Sequence, residues 1–260
     1  MVRGKVAVVT GSTSGIGLGL ARALAAEGCS IMLNGFGDTG EIEALRARLE
    51  REFDIRAGYS GADLSDGGAA AGLIAEAAAA LGPVDILVNN AGIQHVAPIE
   101  EFPPEKWDAV LAINLSSAFH TTRAALPAMR RAGWGHIVNI ASAHGLVASP
   151  CKSAYVAAKH GLVGLTKVTG LETAGSGITC NAVCPGWVRT PLVEQQIEAR
   201  AAEQGVPVDR AAADLLGDKQ PSGAFVTPEQ LGALTVFLCG DAAAQITGAA
   251  FSMDGGWTAQ

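Results

Sequence analysis

Seven short runs of β-branched and other apolar residues recur along this chain, each separated from the next by a stretch of ten or more good helix formers. Residues 5–10, 29–34, 55–59, 84–88, 136–141, 178–183 and 249–253 read as strands. Residues 18–27, 39–53, 67–81 and 228–238, with segments near 105–130 and 153–173, read as helices. Strands joined by helices of this length pair in parallel through right-handed crossovers, because a hairpin has no room for such a connection. The expected fold is therefore α/β: a single domain over residues 1–260, with a doubly wound, seven-stranded parallel sheet flanked by helices on both faces. Ligands of such sheets gather at the carboxyl ends of the strands. Only residues 185–226 break the rhythm. That segment is long and polar, with weak helical stretches at 192–203 and 209–216, and reads as a mobile helical lid over a substrate.

Composition narrows the function. Half of the chain is hydrophobic but only 5% is aromatic, so the core must be built from Ala, Val, Leu and Ile. A net charge of -7 without a basic cluster argues against nucleic acid or an anionic membrane as partner. Arg3 and Lys5 precede an apolar stretch, residues 6–9, that is too short for a signal-peptide core, and no run approaches the ~20 residues of a membrane span. A cytoplasmic protein is expected. The five cysteines are odd in number, and Cys180 and Cys184 lack the second pair a zinc site needs, so reduced thiols and no metal are expected. Cys151 is singled out only because it precedes Lys152.

Between the first strand and first helix, glycines stand at 11, 15 and 17. Gly11 permits a tight turn, Gly15 lets the backbone approach a pyrophosphate, and Gly17 lets the helix pack on the sheet, while free N–H groups at the helix start face the anion. Alone, the spacing also suits an ordinary tight turn. Tyr155 and Lys159 are four apart in an expected helix, hence on one face. An ammonium ~4 to 6 Å away favours the phenolate, so this pair is expected to lower the tyrosine pKa from ~10 and make Tyr155 a proton acceptor. By itself such a pair is also common on surfaces.

The glycine spacing, Asn89-Asn90-Ala91-Gly92, Ser142 and Tyr155-x-x-x-Lys159, kept in that order, resemble the short-chain dehydrogenase/reductase family, whose sheet is of the Rossmann type. The resemblance implies that Tyr155 exchanges a proton with the substrate, and that Lys159 assists it and binds the nicotinamide ribose. It also implies that Ser142 holds the substrate oxygen and that Asn114 joins a water relay to Lys159. Along the cofactor it places Gly11, Thr13, Ser14, Gly15, Ile16 and Gly17 of the turn, Asp63 on the adenine with Leu64 beside it, and Asn90, Ala91 and Gly92. Pro185, Gly186, Val188 and Thr190 complete that set, the last two on the carboxamide.

For NAD against NADP the end of the second strand is informative, since an acid there binds the ribose 2′-hydroxyl and a base the 2′-phosphate. Asn34 stands where NAD-using relatives often carry Asp, but no Lys or Arg follows in Gly35-Phe36-Gly37-Asp38 or at Ser14. A phosphate beside Asp38 would be repelled. NAD is expected, with Phe36 covering the adenosine.

Gln94, His144, Lys152 and Gln196 all fall near strand ends or in the lid. One cation, one imidazole and two amides near a hydride-transfer centre suit a small carboxylate, with Trp187 and Trp257 as apolar walls. Each has a bland alternative: a structural histidine, a solvated lysine, a core tryptophan. With Ser142 and Tyr155 the set resembles the substrate pocket of the bacterial members of the family that interconvert (R)-3-hydroxybutyrate and acetoacetate. Pro150-Cys151 departs from that pattern, which puts the stiffness of the approach to Lys152 in question. The alternatives are a dehydrogenase for another 3-hydroxy acid or secondary alcohol, and a nucleotide-binding sensor without turnover. The resemblance further implies a homotetramer paired through the helices near 105–130 and 153–173.

Overall fold

The computed structural model describes residues 2–217 and 219–259, apart from the side chain of Leu192. Met1, Asp218 and Gln260, which the expectation of one unit over 1–260 includes, lie outside the described residues. The strands are β1 (Val6–Val9), β2 (Ser30–Asn34), β3 (Ala57–Ser60), β4 (Ile86–Asn89), β5 (Gly135–Ile140), β6 (Ile178–Pro185) and β7 (Ala250–Met253). They form one sheet in the order β3-β2-β1-β4-β5-β6-β7, every pairing parallel. The order reverses between β1 and β4, which opens a crevice there at the strand ends.

The helices are α1 (Gly15–Ala26), α2 (Thr39–Phe53), α3 (Gly67–Leu81), α4 (Pro104–Leu111), α5 (Ser117–Ala132), α6 (Ser153–Thr173), α7 (Pro191–Gln204), α8 (Val208–Gly217) and α9 (Pro228–Leu238). Alternation along β1 shows how they cover the sheet. Ala7 and Val9 pack with Leu20 and Leu24 of α1, Leu49 of α2 and Leu231 of α9. Val8 points the other way, onto Leu73 and Ala77 of α3 and Ala125 and Met129 of α5. Because both faces are covered, β1, β4, β5 and β6 are buried along their whole length, which explains their near-continuous apolar sequence. Burial of each large aliphatic side chain contributes ~1.5 to 3 kcal/mol.

Two local features differ from the sequence expectation. The helix expected over 105–130 is two helices joined by a π-helical turn, Ala112–Ser116, which carries Asn114. The segment over 185–226 is pinned at both ends: β6 runs on to Pro185, and Val188 pairs in parallel with Val226. The backbone bonds Arg189 N–H to Val226 O (3.0 Å) and Val226 N–H to Trp187 O (2.9 Å) close its base, with α7 and α8 beyond. The five cysteines are free thiols, and Cys151 is exposed in a left-handed conformation with φ +63°.

Candidate active site

The carboxyl ends of β1, β4, β5 and β6 open into one cavity of about 700 Å3, inside the ~300 to 1,000 Å3 usual for small-molecule sites. Its floor is the glycine turn. Asn90 Nδ2 donates to Thr10 O (2.9 Å) and Gly11 O (3.0 Å). Thr10 Oγ1 accepts from the N–H groups of Asn90 (2.9 Å) and Ala91 (3.0 Å), so the ends of β1 and β4 are tied together. A Cβ on Gly17 would run into the Gly11 carbonyl and lie 2.6 Å from Asn90 Nδ2. The tight packing expected of Gly17 is thus against the turn itself. Gly15 has φ +55°, and α1 starts from Ser14 without a side-chain cap or an acidic residue in its first turn. Its first N–H groups and positive end remain available to an anion. Thr13, Ser14 and Ile16 line the same wall.

Asn34, Phe36, Asp63 and Leu64 also line the cavity. Phe36 is 68% exposed and free to cover a ring. Asp63 accepts the Ser65 N–H (2.9 Å), which holds its carboxyl below the usual range. The Asn34 side chain is engaged within the protein. Its Oδ1 accepts the Gly11 N–H (3.3 Å), and its Nδ2 donates to Ser60 O and Ala62 O (3.1 Å each), so the amide is spent on bracing the turn. Asp38, expected to repel a phosphate, is the N-cap of α2, accepting the Glu41 N–H at 3.0 Å, and does not line the cavity. Among the described residues, Asp63 is the carboxylate that lines the cavity.

Tyr155 and Lys159 share one face of α6, with Ser142 opposite, just past β5. The Ser142 hydroxyl acts on the Tyr155 phenol in the direction that favours its ionised form. Lys159 Nζ donates to Ile140 O (2.8 Å) and lies 5.6 Å from the centre of the tyrosine ring. The expected lowering of the phenol is not what the protein alone displays: burial raises the Tyr155 pKa, and only the Ser142 hydroxyl opposes it. Burial also pushes Lys159 down to about 8, so the amine itself sits near its titration point. Asn114, on the π-helical turn, does not line the cavity. Its Oδ1 accepts the Ile93 N–H (2.8 Å) and its Nδ2 donates to Ile93 O (2.9 Å), fixing the loop after Gly92.

Pro185, Gly186, Val188 and Thr190 form the opposite wall, where Thr190 caps α7 by accepting the Val193 N–H (3.3 Å). Gln94, His144, Lys152, Trp187 and Trp257 meet in the same cavity as Ser142 and Tyr155. The His144 ring stands edge-on to Tyr155 (5.9 Å) and Trp257 (5.0 Å), and Lys152 Nζ is 5.6 Å from the Trp187 ring centre. Burial, then the Lys152 and Lys219 charges, push His144 down to about 4. Burial, then Lys219, lower Lys152 as well. Gln196 is the exception: it is exposed on α7 and does not reach the cavity. Ile93, Ile113 and Val193 line the cavity and were not singled out from sequence, since nothing but tertiary packing distinguishes them from other aliphatics.

The model of the short chain dehydrogenase family matches residues 5–201, three quarters of the chain, across the turn, β4, Ser142, Tyr155 and Lys159. The chain belongs to the short-chain dehydrogenase family. This short-chain dehydrogenase is 61% identical over 260 residues to the D-beta-hydroxybutyrate dehydrogenase of Cupriavidus necator, with all of both chains covered. It is 53% identical over 256 residues to the enzyme of that name from Rhizobium meliloti, covering 98% of this chain and 99% of the other. Among solved structures, L-sorbose reductase from Gluconobacter frateurii, complexed with NADPH and L-sorbose, superposes with a TM-score of 0.94. It is 29% identical, with 99% of this chain and 98% of that one covered. As a member of the family, the chain is an oxidoreductase with a nucleotide cofactor.

Proposed function

We propose that this short-chain dehydrogenase reversibly oxidises (R)-3-hydroxybutyrate to acetoacetate with NAD. The observation that carries it is the pairing, in one cavity, of Ser142 and Tyr155 with Lys152 and His144, while the cavity's one carboxylate among the described residues, Asp63, lies at the nucleotide end. A short acid thus finds a cation and an imidazole beside the proton acceptor and no repelling charge. The full-length identity to two D-beta-hydroxybutyrate dehydrogenases supports the same substrate.

The residues fit a dinucleotide: the uncapped start of α1 takes the pyrophosphate, Phe36 the adenosine, Asn90, Ala91 and Gly92 the ribose side, and Val188 and Thr190 the carboxamide. NAD is the form proposed, because no Lys or Arg among the described residues lines the adenosine end and Asp63 would repel a 2′-phosphate. When bound, an oxidised nicotinamide would supply the hydride acceptor, its ring charge being neutralised as the hydride is taken. Ser142 holds the substrate hydroxyl, and Tyr155 takes its proton as the carbon becomes a carbonyl. Lys159 holds the ribose and feeds the proton onward, with Asn114 in a relay through water. Gln94, Lys152 and His144 hold the carboxylate, with Trp187 and Trp257 against its short apolar stem. Gln196 joins them when the lid, about residues 185–226, swings on the paired base at Val188 and Val226. We further propose a cytoplasmic homotetramer, since Phe119 on α5 and Val168 and Leu171 on α6 expose apolar surface on the helices implied in pairing. Sedimentation tests the oligomer.

The test of the reaction is a substrate panel read by reduced-nucleotide absorbance. (R)-3-Hydroxybutyrate with NAD is expected to turn over at least roughly a hundredfold more efficiently than the (S) isomer, than bulky 3-hydroxyacyl esters, or than the same acid with NADP. Equal rates with an ester lacking the free carboxylate would overturn the substrate, and a preference for NADP would overturn the cofactor.

A further inference from the structure

Behind the acid-binding side chains lies a cation that the proposed reaction does not use. Lys219 follows α8, where its N–H bonds to Leu216 O (2.9 Å), and the next residue, Gln220, accepts the Trp187 N–H (2.8 Å). The end of the lid is therefore tied directly to the cavity wall. From this anchored position Lys219 Nζ lies 3.5 Å from Ser149 Oγ and 5.6 Å from the Trp257 ring centre. Ser149 Oγ in turn lies 2.9 Å from His144 Nε2. Among the described residues no carboxylate pairs with Lys219 or Lys152.

We propose that Lys219 is a positioning residue that, through Ser149, holds His144 as the neutral tautomer with its proton on Nδ1, making the imidazole a hydrogen-bond donor to the substrate acid. This rests on the reading that the cavity takes a short carboxylate. An ammonium only donates, so Ser149 Oγ accepts from Lys219. The single hydroxyl proton of Ser149 then has one acceptor among the described residues, His144 Nε2, and that bond favours the nitrogen in its unprotonated form. The ring proton is left on Nδ1, which makes no bond within the described protein. The imidazolium is disfavoured from all sides, since burial, Lys152, Lys219 and His160 each act against it and the Tyr155 ring edge adds no charge. A lid that carries Lys219 thereby arms His144 only when the cavity wall is assembled.

Histidine-labelled protein, observed by long-range proton–nitrogen NMR with His144 assigned through a His144→Asn variant, reads the tautomer directly. A single Nδ1–H form is expected in the parent and a mixture in Lys219→Met and in Ser149→Ala. Kinetically, Lys219→Met is expected to raise KM for (R)-3-hydroxybutyrate roughly tenfold, the loss of about one oriented hydrogen bond, with kcat changed less than about threefold. Lys219→Arg, which keeps the cationic donor, restores both. A parent carrying its proton on Nε2, or a Lys219→Met variant with an unchanged tautomer and KM, overturns the proposal. If the protein ignored hydroxybutyrate altogether, the substrate reading would fall while the NMR outcome still decided the role of Lys219.

Discussion

Replacing Asn34 with the aspartate that favours NAD in many related folds is expected to harm this protein rather than help it. Asn34 is 1% exposed, and its amide nitrogen donates to two carbonyls, Ser60 O and Ala62 O, at 3.1 Å each. Asn34→Asp keeps the acceptor for the Gly11 N–H but removes both donors and faces a carboxylate with two carbonyl oxygens. Each lost bond to a buried acceptor costs about 1 to 3 kcal/mol, so the two together imply a loss of roughly 2 to 6 kcal/mol at pH 8. The new carboxyl should titrate well above its ordinary ~3.9, because only its protonated form donates. The folded variant then binds that proton more tightly than the unfolded chain, and the deficit relative to the parent shrinks as the pH falls from 8 to 5. Guanidinium unfolding of parent and variant at both pH values, at equal protein concentration, measures it. An unchanged midpoint at pH 8, or a deficit that grows at pH 5, would refute the assignment of Asn34 to bracing the turn.

Gly17→Ala should abolish dinucleotide binding by calorimetry and lower the unfolding midpoint, since its Cβ meets backbone rather than a movable side chain. Lys152→Ala is expected to raise KM for the acid by about 10- to 100-fold, equivalent to ~1.5 to 3 kcal/mol, with a smaller effect on kcat. His136 and His144 are both pushed down to about 4, chiefly by burial. Between pH ~6.5 and ~4 the unfolded chain binds protons that the folded one refuses, so stability should fall as pH drops through that window, by at most ~3 kcal/mol per imidazole. His144→Asn should flatten part of that slope; an identical slope would place the cause elsewhere. Because burial raises the Tyr155 phenol, the oxidation rate should climb with pH on the alkaline side and the reduction rate fall, which initial-rate profiles in both directions check.

Much of this could be read from the chain because local rules carried it. Strands covered on both faces have to be continuously apolar, so β1, β4, β5 and β6 announce themselves, and an i,i+4 spacing on α6 puts Tyr155 and Lys159 on one face whatever surrounds them. What escaped depends on distant parts of the chain. The sequence leaves the role of Asn34 open, and only β3 and the Gly11 turn show that its amide is consumed within the protein. Asp38 looks like a selectivity charge until it caps α2. The i,i+4 spacing reveals the neighbouring ammonium but not the burial that raises the Tyr155 phenol in the protein alone. Gln196 depends on where α7 rests, and Lys219 on how the end of the lid returns to Trp187, neither of which has a periodic signature.

The most direct measurement is the rate of NADH formation from (R)-3-hydroxybutyrate by Tyr155→Phe beside the parent, with NAD affinity followed by calorimetry. Turnover is expected to drop by ~10^2 to 10^4 while the nucleotide still binds. A variant that oxidises the acid at the parental rate would contradict the role given to the phenol.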